Sequence, residues 1–236
     1  MSPYTLNVEA PAAFTRRLIA QSLPRFLHAN PGLRVCMRQA SLSTMPGPDT
    51  DAAICIGQIG DTDLVATEVG AVRGVTCASP DFVACNGIPE VPANLKPQHC
   101  MAVLEPRTHR AQDWIFRKQS QTHLVRPAAP LAFCDADCAI TSAVHGGGYV
   151  QVLSIEAEQQ IAAGLLQPVL CDWNEAPQPV AIVRARHRHS CKEILAFCNF
   201  VASLLPANAT RQLPEMFPLP GRASDLRGAI ESSVVP

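Results

Sequence analysis

Gly164-Leu-Leu-Gln-Pro-Val-Leu-Cys-Asp-Trp173, Pro179-Val-Ala-Ile-Val183 and Ser190-Cys-Lys-Glu-Ile-Leu-Ala-Phe-Cys-Asn-Phe200 read in succession as a helix end, a strand, a second strand and a closing helix. Ser154 is expected to cap the helix that Gly164 terminates, with Glu156 near its positive end; glycine past a last turn accepts the left-handed conformation that stops a helix. In the closing helix, Ser190 and Glu193 have capping-box spacing, and Ile194, Leu195, Phe197, Cys198, Val201, Leu204 and Leu205 supply its apolar residues.

Working outward, the chain opens with a strand, Thr5 to Ala10, followed by Pro11 and a helix whose Phe14, Leu18, Ile19, Leu23, Phe26 and Leu27 recur at helical spacing until Asn30-Pro31-Gly32. Leu33, Val35 and Met37 alternate with Arg34, Cys36 and Arg38, predicting a half-buried strand. Ala52 to Ile56 is a continuous apolar run suited to a strand covered on both faces. This order begins a parallel α/β sheet. After the β-branched stretch Leu64 to Cys77 comes a second series: Met101 to Leu104, Trp114 to Phe116, Pro130 to Cys134, a helix from Asp135 to His145, and the strand Tyr149 to Leu153. Two α/β series, with the last helix returning to the first, predict two lobes joined by two crossovers: residues 1–73 with 183–206, and residues 74–182. Prolines and glycine interrupt residues 207–236, which are expected to be an irregular tail.

The 236 residues are 47% apolar and 17% charged, with a formal net charge of -1, so a core is affordable and no overall attraction to phosphate backbones exists. The ten cysteines sit mostly in apolar runs such as Ala53 to Ile56, the pattern of buried free thiols in a reducing cytoplasm. No basic and apolar leader is visible at Met1, and no run approaches the roughly 20 apolar residues that span a bilayer. A cytoplasmic protein without membrane contact is expected.

A second set of residues, Cys77-Ala-Ser-Pro80, Phe82, Gly87-Ile-Pro89, Pro92 to Leu95 and His99-Cys100, joins the first to carry a resemblance. Residues 3 to 206 resemble, nearly end to end, the effector-binding domain of LysR-type transcriptional regulators. The resemblance implies an α/β fold of the type 2 periplasmic-binding-protein kind, two lobes with a ligand cleft between them. It implies a domain that senses a small polar or anionic molecule and performs no chemistry, with no cofactor and no metal. Effector binding would alter a dimer or tetramer arrangement, and DNA would be contacted only through an N-terminal helix-turn-helix that does not precede these residues. Met1 is then expected to begin an excised segment of a longer regulator or a naturally short protein. Carried over by position, the cleft would be lined in the first lobe by Pro11, Ala12, Ala13 and Phe14, by Ser41, Leu42 and Ser43, and by Ile56, Gly57 and Gln58. The second lobe would supply Asp135, Ala136 and Asp137 at a helix start, and Gly147 and Gly148 before the next strand. The first helix is expected to serve a side-by-side, antiparallel dimer as well as its own core.

The sequence departs from that pattern in several places. Ala13 stands where relatives often carry a hydroxyl, Cys55 where an Arg is common, and Leu153 where a Pro is usual. Thr44 to Asp51, with two prolines and a glycine, replaces a helix. His187, His189 and Cys191 share one face of an extended segment, a possible metal set, yet a solvated basic loop explains them better because structural zinc needs four spaced ligands. Cys134-Asp-Ala-Asp-Cys138 lacks redox spacing and reads as a helix start capped by Asp135. His145-Gly-Gly-Gly148 follows a helix and precedes a strand, the reverse of a phosphate loop. No nucleophile-and-base motif stands out. The alternative on the same fold is a solute-binding protein of a transport system, which would require export.

Overall fold

The computed structural model describes residues 4–40, 47, 49–57, 64–105, 108–173, 177–185 and 191–204. Expectations about residues 41–46, Pro48, Gln58, His187, His189, Ser190 and the tail 207–236 lie outside the described residues.

Strand β1 (Tyr4–Ala10) buries Leu6, Val8 and Ala10 on one face. Pro11 turns the chain into one continuous helix: α1 (Ala12–Phe14), a π-helical turn (Thr15–Ile19) and α2 (Ala20–Ala29). In the π turn the Ala20 N–H reaches back to the Thr15 carbonyl, five residues earlier. Pro24 lies inside α2 and has no N–H to give the preceding turn. Strands β2 (Leu33–Gln39), β3 (Ala52–Ile56), β4 (Leu64–Val72) and β5 (Gly74–Ala78) follow. All of β3 is buried, as its unbroken apolar run requires.

Helix α3 (Pro80–Asn86) starts on Ser79, whose Oγ accepts the Phe82 N–H at 3.3 Å, with proline at the first helical position. Short strand β6 (Ala102–Val103), the hairpin of β7 (Trp114–Lys118) and β8 (Gln121–Val125), and β9 (Ala132–Phe133) lead to α4 (Ala136–Val144), β10 (Val150–Leu153), α5 (Ser154–Ala162), β11 (Gln167–Val169), β12 (Gln178–Ala185) and α6 (Lys192–Leu204).

The first lobe is built on a five-stranded sheet in the order β2-β1-β3-β12-β4, with β1, β2 and β3 parallel and β12 antiparallel to both its neighbours. The second holds the antiparallel sheet β10-β5-β11. The chain crosses outward at Arg73, splitting the β-branched stretch 64–77 into two strands on different sheets. The returning strand β12 pairs with β4 from Gln178 onward, ahead of the expected boundary at residue 183, and Val180 to Val183 are its buried middle.

Phe197, Ile194 and Val201 of α6 pack with Leu6, Ile54 and Ile182 of the first sheet, and Phe26 stacks on Phe200 at 4.6 Å. Each such fully buried side chain contributes roughly 1.5–3 kcal/mol. A second core gathers Val75, Met101, Ile140, Val150 and Ile161; a third surrounds Trp114, Phe116, Tyr149 and Trp173. Of the Cys77–Cys100 signature residues, Cys77 belongs to the second core, while Ala78, Leu95 and Cys100 meet in this third core with Phe82 packed against it. There Tyr149 donates its hydroxyl to the Gly87 carbonyl at 3.0 Å, and Phe82 sets its ring edge against Tyr149 and His99.

Two expectations about local chemistry are corrected. Ser154 is the first residue of α5, not its cap; Leu153 stands at the cap position and its N–H is received by the Glu156 carboxylate at 2.8 Å. The cysteines are less buried than apolar neighbours suggested. Cys55, Cys77, Cys100 and Cys198 are buried, Cys191 is half-buried, and Cys36, Cys85, Cys134, Cys138 and Cys171 are exposed. Cys36 illustrates the reason: it alternates with Val35 and Met37 on the outer face of edge strand β2. Burial pushes the thiols of Cys77 and Cys100 up to about 12. A thiolate-selective reagent at neutral pH should therefore label the five exposed cysteines of the folded protein and reach Cys77 and Cys100 only on unfolding. Native labelling of Cys77 as fast as of Cys36 would contradict this packing.

Candidate functional site

A cavity of about 300 Å³ opens between the two sheets, within the size range of small-molecule sites. Its floor follows from topology: Gly74 lies just beyond the outward crossing and Gln178 begins the returning strand, so both line it. The first lobe adds Pro11, Ala12 and Ala13 where β1 gives way to the helix, and Gln39 and Ala40 at the end of β2. The second lobe adds Cys134 to Asp137 at the start of α4, Gln151 to Leu153 on β10, Glu156 on α5, and Gln112, Asp113 and Ile115 around β7.

Of the residues expected at a ligand, the structure brings together Ala12, Ala13, Asp135, Ala136 and Asp137 at this cavity. Phe14 is instead fully buried in the first-lobe core, turned away by the helical rotation that puts Ala13 toward the opening. Ile56 is likewise a core residue. Gly57 sits beside the cavity, with φ +93° and its N–H on the Pro179 carbonyl at 2.9 Å; a Cβ there would lie 4.0 Å from Gln178 Oε1. Ser41, Leu42, Ser43 and Gln58 fall outside the described residues.

Gly147 and Gly148 do not line the cavity. A Cβ at Gly147 would come within 2.3 Å of Ser142 Oγ, and one at Gly148, at φ +136°, within 2.6 Å of the His99 carbonyl. Both glycines serve the close approach of α4, β10 and the Cys100 segment.

Sequence reasoning missed Arg16 and Arg17. They lie in the π turn, which sets both guanidinium groups on the cleft side. Arg17 donates from Nη1 to Gln159 Oε1 at 2.7 Å and from Nη2 to Asp137 Oδ1 at 3.2 Å. Arg16 pairs with Asp137 and lies 3.8 Å from Asp135. The two arginines belong to the first-lobe helix and their partners to α4 and α5, so this ion-pair group spans the cleft. Its sequence signal was two adjacent arginines one turn after Ala12-Ala13.

The second-lobe carboxylates are also tied to their own helices. Asp135 Oδ1 accepts the Asp137 N–H at 2.8 Å, the expected cap of α4. Glu156 is pushed above the ordinary glutamate range by burial, with the charge of Asp135 adding to it, against the lowering effects of the Leu153 N–H and the arginines. Cys55, in place of the common arginine, has its thiol pushed up to about 11 by burial and by Glu9. Among the described residues no group of three His, Cys, Asp or Glu side chains is placed to hold a metal ion, and no helix is long and apolar enough to cross a membrane.

The LysR substrate binding domain model matches residues 3–206. The chain belongs to that family. Among curated relatives, this LysR-family domain is 23% identical over 209 residues to an HTH-type transcriptional repressor of Pseudomonas aeruginosa, an alignment that covers 88% of this chain and 66% of that one. It is 24% identical over 188 residues to the HTH-type transcriptional regulator DmlR of Escherichia coli, covering 79% and 61%. The chain thus spans about two thirds of the length of these relatives. Its fold matches the regulatory domain of AphB from Vibrio vulnificus with a TM-score of 0.72 at 18% identity, covering 84% of this chain and 98% of that one. It also matches the CrgA regulatory domain of Neisseria meningitidis with a TM-score of 0.71 at 20% identity, covering 86% and 98%. The LysR-family relatives are transcriptional regulators, not enzymes, and none of them supports the transport alternative.

Glu156 offers a test of the cleft's electrostatics. A carboxyl whose folded pKa lies above its unfolded value holds its proton more tightly when folded, so its contribution to stability is present below about 4.5 and is lost as pH rises through the raised native value. Glu156→Gln keeps an acceptor for the Leu153 N–H and removes that loss. The variant should show a flatter decline of melting temperature between pH 4.5 and neutrality, and melt no lower than the parent at neutral pH. A variant that melts markedly lower at neutral pH would mean that the carboxylate is stabilising.

Proposed function

We propose that this chain is the effector-sensing part of a LysR-type transcriptional regulator and binds a small polar molecule in the cleft between its lobes. The observation that supports this most directly is the cavity itself: a pocket of about 300 Å³ whose walls come from both lobes and whose floor is formed at the two crossings. A ligand touching both walls has different contacts in the open and closed arrangements, which is the condition for shifting their populations.

In this reading the shift changes how copies of the chain sit against one another as a dimer or tetramer, and thereby how helix-turn-helix domains meet DNA. Those domains lie outside residues 3–206, as the names of the HTH-type relatives suggest. The protein works in the cytoplasm. On the first helix, Leu18, Leu23 and Leu27 are only partly covered by the core and are available to a second copy.

Thermal denaturation against a metabolite library tests the reading. A specific ligand at 100 times its dissociation constant should add about 2.7 kcal/mol of stability. Ala12→Trp, which fills the cleft from the half-buried helix start, should abolish the shift while leaving the unliganded melting temperature within a few degrees. A ligand that binds the variant unchanged would place the site elsewhere, and a library without any hit would count against effector sensing.

A further inference from the structure

Among the described residues, the cleft is short of places for an anion. Its basic and carboxylic side chains among the described residues are two guanidinium groups, Arg16 and Arg17, and four carboxyl groups, Asp113, Asp135, Asp137 and Glu156. Even with Glu156 protonated, the carboxylates outnumber the cations.

The features that attract anions are already filled by the protein's own acids. Asp137 pairs with both arginines, and Arg17 is further held by Gln159. The N-terminus of α4 is closed by Asp135 and that of α5 by Glu156, so each helix dipole is met by an internal carboxylate. An incoming carboxylate would have to displace one of these groups and would face the remaining negative charge.

The opposite charge finds acceptors. Asp113, 40% exposed, has a pairing with Arg126 Nε at 3.5 Å, but the Arg126 side chain is 80% exposed and such a surface pair is weak and screened by solvent. Asp135 is 50% exposed, with Arg16 no nearer than 3.8 Å. No aromatic ring lines the cavity, so the cage that holds a quaternary ammonium by cation–π attraction is absent from the described lining. Glutamine side chains at positions 39, 112, 151 and 178 add neutral hydrogen-bonding groups.

We infer that the effector of this domain carries a protonated primary or secondary amine, received by Asp113 and Asp135 and their glutamine neighbours, so that of the sequence-based expectation of a small polar or anionic ligand the polar half is kept and the anionic half given up. The inference rests on the effector-cleft reading above and adds the charge of the ligand to it. Asp113 and Asp135 thereby become specificity-determining positions, while the Arg16, Arg17 and Asp137 group remains a bridge between lobes.

Three four-carbon probes of matched length test it at fixed ionic strength: 1,4-diaminobutane, 1,4-butanediol and succinate, titrated at millimolar concentration against the protein in thermal denaturation. The diamine should raise the melting temperature saturably, the diol and succinate should not. Asp113→Asn combined with Asp135→Asn should weaken the diamine at least about tenfold, the loss expected when charged acceptors become neutral. A melt of the unliganded double variant checks that it is folded; should it not be, Asp113→Asn alone replaces it. Stabilisation by succinate without the diamine would overturn the inference about charge and leave effector sensing intact. Silence from all three, or a diamine shift untouched by the variants, would overturn it as well; only the library screen coming back empty would remove the effector reading itself.

Discussion

The antiparallel insertion of β12 between β3 and β4 is the constraint from which the rest of the molecule follows. Strand β4 ends at Val72 opposite Gln178, the first residue of β12, so the chain leaves the first sheet and comes back to it at neighbouring points. Everything between must form a separate body, and β5, β10 and β11 supply its sheet. Two crossings side by side leave a groove on their flank, which is why Gly74 and Gln178 both line the cavity. The core residues Val180 and Ile182 that hold β12 in place therefore support the site without touching it.

Across that groove the lobes meet through charge and through a small apolar contact. Leu153 and Ile155 belong by sequence to the second lobe but pack with the first-lobe core, close to Ala13 and Phe14. Beside them Arg17 reaches Asp137 and Gln159 from a half-shielded position. A partly desolvated ion pair is worth more than an exposed one, yet losing one partner strands the other. In the proposed reading such a contact would be joined in one lobe arrangement and parted in another, which is what a ligand-driven change requires. The π turn has a part in this: without the five-residue step at Thr15 to Ala20, the helix would carry Arg16 and Arg17 at a different angle to the cleft.

Much of the fold was legible because hydrophobic periodicity reports burial. The alternation in β1, the unbroken run in β3 and the helical spacing of Phe14 to Leu27 correspond to the observed elements. What resisted was chemistry decided by tertiary position. Ser154 looks like a cap, but the Glu156 carboxylate reaches the Leu153 amide first and the helix starts one residue earlier than a serine cap would allow. The hairpin of β7 and β8 has no strong alternation to announce it. At the site, Ala12, Ala13 and Asp135 to Asp137 were named from the family resemblance, and they line this cavity. Arg16, Arg17 and Asp113 were not, since a π turn and a loop position, which hydrophobic periodicity does not report, bring them to the cavity; Glu156 was legible as a residue at a helix start but not as part of the cleft. Gly147 and Gly148, expected at the cleft, instead make a close approach to Ser142 and His99.

The central claim, that a ligand seated between the lobes is what this domain responds to, is tested most directly by amide hydrogen exchange with and without a stabilising compound. Protection should rise together in three segments that are distant in sequence and joined only at the cleft: residues 11–17, 134–137 and 151–156. Protection confined to one lobe, or appearing instead around residues 86–99 beside the small cavity next to Tyr149, would contradict it.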